Sequence, residues 1–278
     1  MIQFLLWPFL AALVLTGIHA YLGFHVVERG VIFVDLSLAQ VAALGATVAF
    51  AAGYDLHGHT AYWFSLGFTL LGAAVFAWTR SEKRKIPHEA IIGIVYAVSA
   101  ALAILIVDKS PEGTEHIKYI LVGNLLAVTP DQVLRTAALY GVIGALHWWW
   151  RKPFFAISRD PHQAKRDGYR IRLWDFLFYA TFGFVVTSSV SMAGVLLVFT
   201  YLIVPSVAAI LVADRTRVRL AFGWGLGAVA SGVGLWASSY WDSPPGAAII
   251  CAFGTLLILV SAYAAWMASW FGRTVARE

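Results

Sequence analysis

Charged side chains and cysteines are both scarce in this sequence. Asp, Glu, Lys and Arg make up 13% of the residues, whereas an ordinary soluble domain has about 25%. The one cysteine, Cys251, excludes an internal disulfide bond and a thiolate metal cluster. Hydrophobic residues reach 60% and the mean hydropathy is +0.75, so the composition alone predicts an integral membrane protein.

Several catalytic motifs are absent as well. The sequence has no G-x-x-x-x-G-K-[ST] motif, so the chain cannot bind ATP as P-loop proteins do. It has no H-E-x-x-H motif and no intramembrane G-x-S-x-G nucleophile with a partnered histidine. We therefore predict that the chain is not an enzyme. The energy for any transport would come from a separate subunit or from an ion gradient.

Apolar runs recur along the whole chain, at the length of about 20 residues that one membrane crossing needs. The first run has no basic region before it, so we predict a span there and not a cleavable signal peptide. The predicted fold is all-α and polytopic, with about eight or nine transmembrane helices in a single domain, residues 1–278. The predicted spans are 3–25, 31–53, 61–79, 89–107, 132–150, 174–190, 193–213, 218–239 and 245–270.

The longest polar segment, residues 151–175, carries seven Lys or Arg side chains. A basic loop between hydrophobic spans normally lies on the cytoplasmic side. Asp160 and Pro161 form a good helix start, because Asp caps free N–H groups and Pro is tolerated in the first turn. Gly168 is placed to end that helix. The pattern predicts a short helix over 161–167 at the inner membrane surface.

The distribution of basic residues favours one orientation. With the 151–175 loop inside, all but three of the 20 Lys and Arg residues fall on the inner side. The N-terminus then lies outside and the C-terminus inside. The pI near 9.4 is thus a topology signal, because the basic residues fall in short loops and form no nucleic-acid-binding stripe.

Two stretches in the second half resemble a known family. FFAISRDPHQAKRDGYRIRLWDFLFY is similar to the ATPase-contacting loop of bacterial metal-ion ABC importer permeases, which carry zinc, manganese or iron. SVSMAGVLLVFTYLIVPSVAAIL resembles the segment that follows this loop in the family. The similarity continues in VIFVDLSLAQVAALG, HEAIIGIVYAVSAALAILI and KYILVGNLLAVTPDQV, so it covers nearly the whole chain.

The resemblance implies a type II ABC importer-like permease, a multi-pass membrane subunit in the bacterial cytoplasmic (inner) membrane. It implies a second copy of the chain, two ATP-binding subunits and an extracytoplasmic metal-binding protein as partners. The cargo would be a divalent cation (zinc, manganese or iron), with ATP on the partner subunit and no cofactor on this chain. The cytoplasmic coupling loop would be 151–173, and its ATPase-contacting residues would be Asp160, Pro161, Ala164, Lys165 and Gly168.

An ion-gradient-driven secondary metal transporter is the alternative function. Asp35 and Glu89 would then carry protons, because ionisable residues within spans often do so. Uptake that persists without an ATPase and is abolished by an uncoupler would favour this alternative. An intramembrane enzyme is the least supported function, since the spans contain no nucleophile–base pair and no metal triad.

Asp35 interrupts an apolar run, where a carboxylate is costly unless it faces a polar cavity or a partner. It is either a ligand on the ion path or an interfacial residue that caps its helix or pairs with Arg29. In the resembling family an aspartate matches Asp35, and a histidine falls on Ala39 here. Gln40 can still line a polar path, although an amide is a poor ligand for a soft ion.

His19 and His25 are also candidates for the translocation path. They are six residues apart, so they do not share a helix face closely. Each is either a path-lining imidazole or a hydrogen-bonded packing histidine. Glu28 stands beside Arg29 in the sequence, which predicts an interfacial ion pair between them.

Asp55, His57 and His59 form a compact cluster in a predicted outer loop. Imidazole and carboxylate groups suit zinc, iron or manganese. The cluster is either a docking site for a cation that arrives at the outer face or an ordinary solvated loop. His57, His59 and Asp35 are the candidate metal ligands.

Two further features bear on helix packing. Pro205 lies inside a predicted span and is expected to kink it, which makes it a candidate hinge. Gly223 and Gly227 form a small-xxx-small pair that lets helices approach closely.

Residues 115–128 are too short and too charged at their flanks to span, so they predict an outer amphipathic or partly re-entrant helix.

Overall fold

The computed structural model describes residues 2–55, 58–80, 86–108 and 121–275, and the regular elements in those ranges are all helical. A short 3₁₀ turn, Leu125–Ala127, precedes the fifth α-helix. The α-helices are α1 Ile2–Glu28, α2 Val34–Ala51, α3 His59–Thr79, α4 His88–Val107, α5 Pro130–Trp149, α6 Arg151–Arg159, α7 Pro161–Arg166, α8 Ile171–Val212, α9 Thr216–Trp241 and α10 Pro245–Val275.

Seven of the described helices are long and apolar enough to cross a membrane: α1, α2, α3, α4, α8, α9 and α10. The less apolar α5 has 20 residues, which is the length of one crossing. Each of the nine predicted spans falls on a helix, two of them on α8. The prediction of an all-α polytopic fold is therefore confirmed.

The 42-residue helix α8 is broken at Gly194, where φ is 76° and ψ is 161°. Asp175, before the break, pairs with Arg29 just beyond the end of α1. Ser206, after the break, lies against Gly23 near the same end of α1. A straight helix would separate Asp175 and Ser206 by about 46 Å, whereas Gly23 and Arg29 differ by about 9 Å along α1. The chain therefore turns back at Gly194, and α8 makes two passes.

A second glycine holds this break in place. The backbone of Gly123 lies against Ala193 and Gly194, so a Cβ on either glycine would collide with main-chain atoms of the other segment. Gly123 also has a positive φ of 67°, which glycine adopts at little cost. The described end of the predicted outer segment, residues 121–128, thus packs against the break in α8 through Gly123.

Helix α9 packs closely on α1 and α8 through the predicted small-residue pair. A Cβ on Gly227 would collide with the side chain of Thr16, and one on Gly223 would lie 3.4 Å from Pro205 Cβ. Close approach through these two glycines is therefore confirmed. The non-helical backbone within α8 is at Gly194 and not at Pro205, so a hinge at Pro205 stays a prediction.

One end of the molecule collects the arginines that the charge distribution places in the cytoplasm. Four contacts join the ends of α1, α3, α6, α8 and α9 there: Arg29–Asp175, Arg80–Asp175, Arg219–Glu28 and Arg159–Thr216. The expected pair between Glu28 and Arg29 is wrong. Successive residues at a helix end point about 100° apart, so each side chain finds a partner on a different helix.

Candidate coupling and translocation sites

Helix α7 begins and ends as its sequence predicts. Asp160 Oδ1 accepts a hydrogen bond from the Gln163 amide at 2.9 Å, and Pro161 occupies the first turn. At the other end Gly168 has a φ of 89°. The Gly168 amide donates to the Lys165 carbonyl, and the Tyr169 amide donates to the Ala164 carbonyl, both at 3.1 Å. This pair of bonds is the Schellman motif, which satisfies the last carbonyls of a helix.

Most of α7 faces solvent. His162, Gln163, Lys165 and Arg166 are exposed, whereas Ala164 is 1% exposed. A small side chain at the buried position lets this short helix lie flat on the elements beneath it. The helix therefore offers a polar surface at the basic end of the molecule.

Helix α6 connects α7 to the interior. Its buried face carries Phe154, Ile157 and Ser158. Ser158 Oγ accepts from Arg29 Nε at 2.9 Å and lies 2.9 Å from His25 Nδ1. Because a guanidinium can only donate, Ser158 Oγ is the acceptor in its bond with Arg29. Two side chains at the end of α1 are thus bonded to one side chain of α6.

Asp175 accepts from two arginines through a single carboxylate oxygen. Arg29 Nη1 lies 2.7 Å and Arg80 Nη1 lies 2.6 Å from Asp175 Oδ1. The side chains of Asp175 and Arg29 are fully buried. A buried carboxylate is tolerated when it is paired, and loss of one partner leaves an uncompensated charge. The cluster fixes the start of α8 to the ends of α1 and α3.

Arg29 is the residue that joins the two sets of contacts. Its guanidinium stacks on the Phe178 ring, 3.9 Å from the centroid. Burial lowers the pKa of Arg29 from its ordinary value, and the Asp175 carboxylate opposes that shift. An arginine nevertheless stays protonated throughout the physiological range. Arg29 thus links α6 to α1, α3 and α8 through one permanent charge.

Asp35 is as deeply buried as Asp175, but neither of its oxygens has a hydrogen-bond partner among the described residues. It lies in the first turn of α2, where the helix dipole favours a negative charge. Arg29, one of its expected partners, is bonded to Asp175 instead. Ala39 lies four residues after Asp35 on the same helix face and is also buried.

The other predicted path residues lie in different surroundings. His19 Nδ1 donates to the Leu15 carbonyl at 2.8 Å, which leaves Nε2 to accept from Ser189 Oγ at 3.2 Å. His25 packs against Phe155 of α6, and its Nε2 has no partner among the described residues. Gln40 is 8% exposed on α2. Both ring nitrogens of His19 thus have a partner in this conformation, and its role on the path stays a prediction.

The predicted outer docking cluster lies on the surface. Asp55 and His59 are exposed, and the Gly58 amide donates to the Asp55 carbonyl at 3.0 Å. His57 lies outside the described residues. Helix α2 rises about 24 Å between Asp35 and its last residue, so Asp35 and the outer loop cannot share one ion. Within the described ranges, no three His, Cys, Asp or Glu side chains form a metal-binding group.

Sequence reasoning did not identify Asp175, Arg80 and Ser158, which Arg29 and Asp175 connect by hydrogen bonds. The available signal was an acidic residue at the junction of a basic loop and an apolar span. Its partners could not be inferred, because they come from segments 95 to 146 residues away along the chain. Only the helix packing brings them together.

A multi-pass helical bundle with an exposed basic helix at one end, linked to several spans, is consistent with a membrane permease. A model of the ABC 3 transport family matches residues 1–264. The chain therefore belongs to the ABC 3 transport family. This result confirms the resemblance to metal-ion ABC importer permeases.

Curated relatives cover nearly all of the chain. A Haemophilus influenzae protein named "Probable iron transport system membrane protein" is 28% identical over 272 residues, 94% of this chain and 93% of that protein. The "Manganese transport system membrane protein MntC" of Listeria monocytogenes is 24% identical, over 82% of this chain and 79% of that protein.

Solved structures share the fold. "PsaBC from Streptococcus pneumoniae in complex with Fab" matches with a TM-score of 0.77 at 23% identity, over 93% of this chain and 92% of that one. A metal-chelate type ABC transporter in an inward-facing conformation matches with a TM-score of 0.70 at 20% identity, over 93% and 85%. At these identities the likeness shows the fold alone.

Proposed function

We propose that this chain is the membrane-spanning permease subunit of an ATP-binding cassette importer for a divalent metal cation: zinc, manganese or iron. Residues 1–278 would act as one permease domain in the bacterial cytoplasmic membrane. The observation that carries the proposal is the exposed helix α7 at the basic end of an ABC 3 family member. The names of the relatives, which refer to iron and manganese, support the cargo class.

ATP would bind and be hydrolysed on a separate subunit, because the sequence has no P-loop. That subunit would dock on α7 through Asp160, Pro161, Ala164, Lys165 and Gly168. The chain of contacts from Ser158 through Arg29 to Asp175 supports this assignment. It gives force on the short helix a rigid route into three spans.

The cation would cross the chain in stages. Asp55, His57 and His59 would receive it at the outer face from an extracytoplasmic metal-binding protein. Asp35 would meet it inside the membrane, with Gln40, His19 and His25 as further path residues. A fully buried carboxylate with no hydrogen-bond partner in the described structure supports the role of Asp35, since a passing cation would supply the missing charge.

A second copy of the chain would complete the pathway. The spans α4 and α10 are the least enclosed of the seven apolar spans in the described structure. Exposed large apolar residues line both helices, including Ile94, Leu105, Ile258 and Leu259. These faces are where we place the contact between the two copies.

Reconstitution in liposomes tests the proposal. Vesicles that contain the chain and its ATP-binding subunit should take up manganese, zinc or iron when ATP is supplied, and vesicles with the chain alone should not. An ATP-binding subunit that lacks its P-loop lysine is the control. Uptake by the chain alone that an uncoupler abolishes would contradict the proposal and establish the ion-gradient mechanism.

A pair of variants tests the docking role of α7. Asp160→Ala combined with Lys165→Glu should reduce co-purification of the ATP-binding subunit, because it removes a helix cap and reverses one exposed charge. Arg135→Ala, an exposed position on α5, should leave co-purification unchanged. Equal co-purification by both variants would mean that α7 is not the docking element.

A further inference from the structure

A groove of about 810 Å³ opens on the side of the bundle between α1, α5, α6 and α9. That volume is typical of ligand-binding clefts, which hold about 300–1,000 Å³. Leu13, Val14 and Leu220 line its apolar part, and Arg151, Arg159 and Arg217 line its cytoplasmic end. None of its lining residues belongs to α2 or α7. The groove is thus separate from Asp35 and from the docking helix.

The groove reaches from the cytoplasmic interface to near the middle of the membrane. Its wall on α5 extends from Ala137 to Trp148, which is a rise of about 17 Å. The hydrocarbon core of a bilayer is about 30 Å thick. The groove therefore has the depth that one acyl chain of the inner leaflet occupies.

The polar groups of Tyr140, His147 and Trp224 along the groove wall are already hydrogen-bonded within the protein. Tyr140 Oη donates to the Val185 carbonyl at 3.2 Å. His147 Nε2 lies 2.8 Å from Thr181 Oγ1. Trp224 Nε1 donates to a main-chain carbonyl of α1 at 3.0 Å. An occupant of this part gains no hydrogen bonds from these groups, so an apolar chain fits it best.

The cytoplasmic end of the groove has the opposite character. Three guanidinium groups line it, and no Asp or Glu is among the lining residues. Arg159 uses Nη2 to bond Thr216 at 3.1 Å, which leaves most of its five N–H donors available. Arg151 stacks on Trp148, 4.8 Å from the ring centroid. This end is complementary to a phosphate group at the membrane surface.

Three glycines line the groove and leave space that a side chain would fill. A Cβ built on Gly17, Gly141 or Gly144 meets no atom within 4 Å, and all three line the groove. Close packing between helices therefore does not account for these glycines. A larger side chain at any of them would project into the groove without a clash in the protein.

We propose that this groove binds one anionic phospholipid of the inner leaflet. The phosphate lies against Arg151, Arg159 and Arg217, and one acyl chain runs along Gly144 and Gly141 toward the membrane centre. The charge of the groove's mouth selects a net negative head group over a zwitterionic one. The site is independent of which cation the chain carries.

Lipid selectivity tests the proposal directly. The purified chain is reconstituted in nanodiscs with phosphatidylglycerol and phosphatidylcholine, and retained lipid is measured by native mass spectrometry after transfer to detergent. Quenching of tryptophan fluorescence by brominated forms of each lipid gives a second readout, since Trp148 and Trp224 line the groove. The wild type should retain phosphatidylglycerol over phosphatidylcholine by about tenfold or more, and added salt should reduce the preference.

Two kinds of variant separate the head-group and acyl contacts. Arg151→Gln and Arg217→Gln should each reduce phosphatidylglycerol retention about fivefold, whereas Arg170→Gln, an exposed arginine that does not line the groove, should not. Gly144→Leu should displace the lipid by filling the groove. Gly67→Leu is the matched control, because a Cβ at this exposed helical glycine also meets no atom within 4 Å.

Three results would overturn the proposal. One is equal retention of the two lipids by the wild type, and another is equal loss of lipid in the groove variants and their controls. The third concerns a second copy of the chain as the occupant. In a Cys251→Ser background, a disulfide-linked dimer of Gly141→Cys would show that protein and not lipid fills the groove.

Discussion

The two buried aspartates, Asp175 and Asp35, have opposite surroundings. Both are fully buried. Asp175 accepts from Arg29 and Arg80, whereas Asp35 has no hydrogen-bond partner among the described residues. An unpaired carboxylate in a low-dielectric interior opposes folding, while a paired one is tolerated. We therefore propose that Asp175 holds α1, α3 and α8 together and that Asp35 contacts the cation during transport.

The largest effect on stability is expected at Asp175. Asp175→Asn leaves the charges of Arg29 and Arg80 without a counter-ion, so the free energy of unfolding should fall by about 3–5 kcal/mol. Thermal unfolding of the purified protein in detergent measures this loss. If Asp175→Asn unfolds at the wild-type temperature, the ion cluster does not hold the three helices together.

The next effect is expected at the connection between α6 and α1. Ser158→Ala removes the hydrogen bonds to His25 and Arg29, which should lower the free energy of unfolding by about 2 kcal/mol. ATP hydrolysis by the partner subunit should also become less dependent on the presence of cargo. Thr255→Ala is the control, since this exposed hydroxyl bonds only its own helix. Equal effects of the two changes would argue against a coupling route through Ser158.

Asp35→Asn should separate transport from stability. The amide removes an unpaired buried charge, so the unfolding temperature should stay the same or rise. Cation uptake driven by the ATP-binding subunit should fall about tenfold or more, because a contact with a charged group contributes about 1.5–3 kcal/mol. Loss of stability comparable to that of Asp175→Asn, with uptake retained, would make Asp35 a structural residue as well.

The smallest effect is expected where an ion pair lies in water. Asp131 and Arg135 form an i,i+4 pair on α5, with side chains 65% and 71% exposed. Asp131→Asn should change the free energy of unfolding by about 0.5 kcal/mol or less. The same thermal unfolding assay measures it. A loss near that of Asp175→Asn would mean that burial does not decide the strength of these pairs.

Local chemistry accounts for what sequence reasoning predicted well. The helix α7 follows from Asp160, Pro161 and Gly168, each of which acts on backbone atoms a few residues away. The spans follow from apolar runs, and the positions of the arginines predict which end is cytoplasmic. Close approach at Gly223 and Gly227 could also be predicted, because a missing side chain is visible in the sequence.

Contacts between distant segments explain the remainder. The predicted spans 174–190 and 193–213 placed a turn close to Gly194, but the sequence did not reveal that the backbone of Gly123 packs against this break. Glu28 was expected to pair with its neighbour Arg29, whereas helix geometry directs them to Arg219 and Asp175. Neither outcome could be derived from spacing along the chain.

By itself the sequence determined that this protein is a helical membrane protein and that a short capped helix lies in its longest basic segment, and it predicts which end faces the cytoplasm. These properties depend on the free energy of transferring side chains into lipid and on hydrogen bonds within one turn. Only the tertiary structure decided that Asp175 is paired, whereas Asp35 has no hydrogen-bond partner among the described residues. The reason is that a charge in the bilayer takes its partners from helices that meet it in space, and sequence separation does not reveal them.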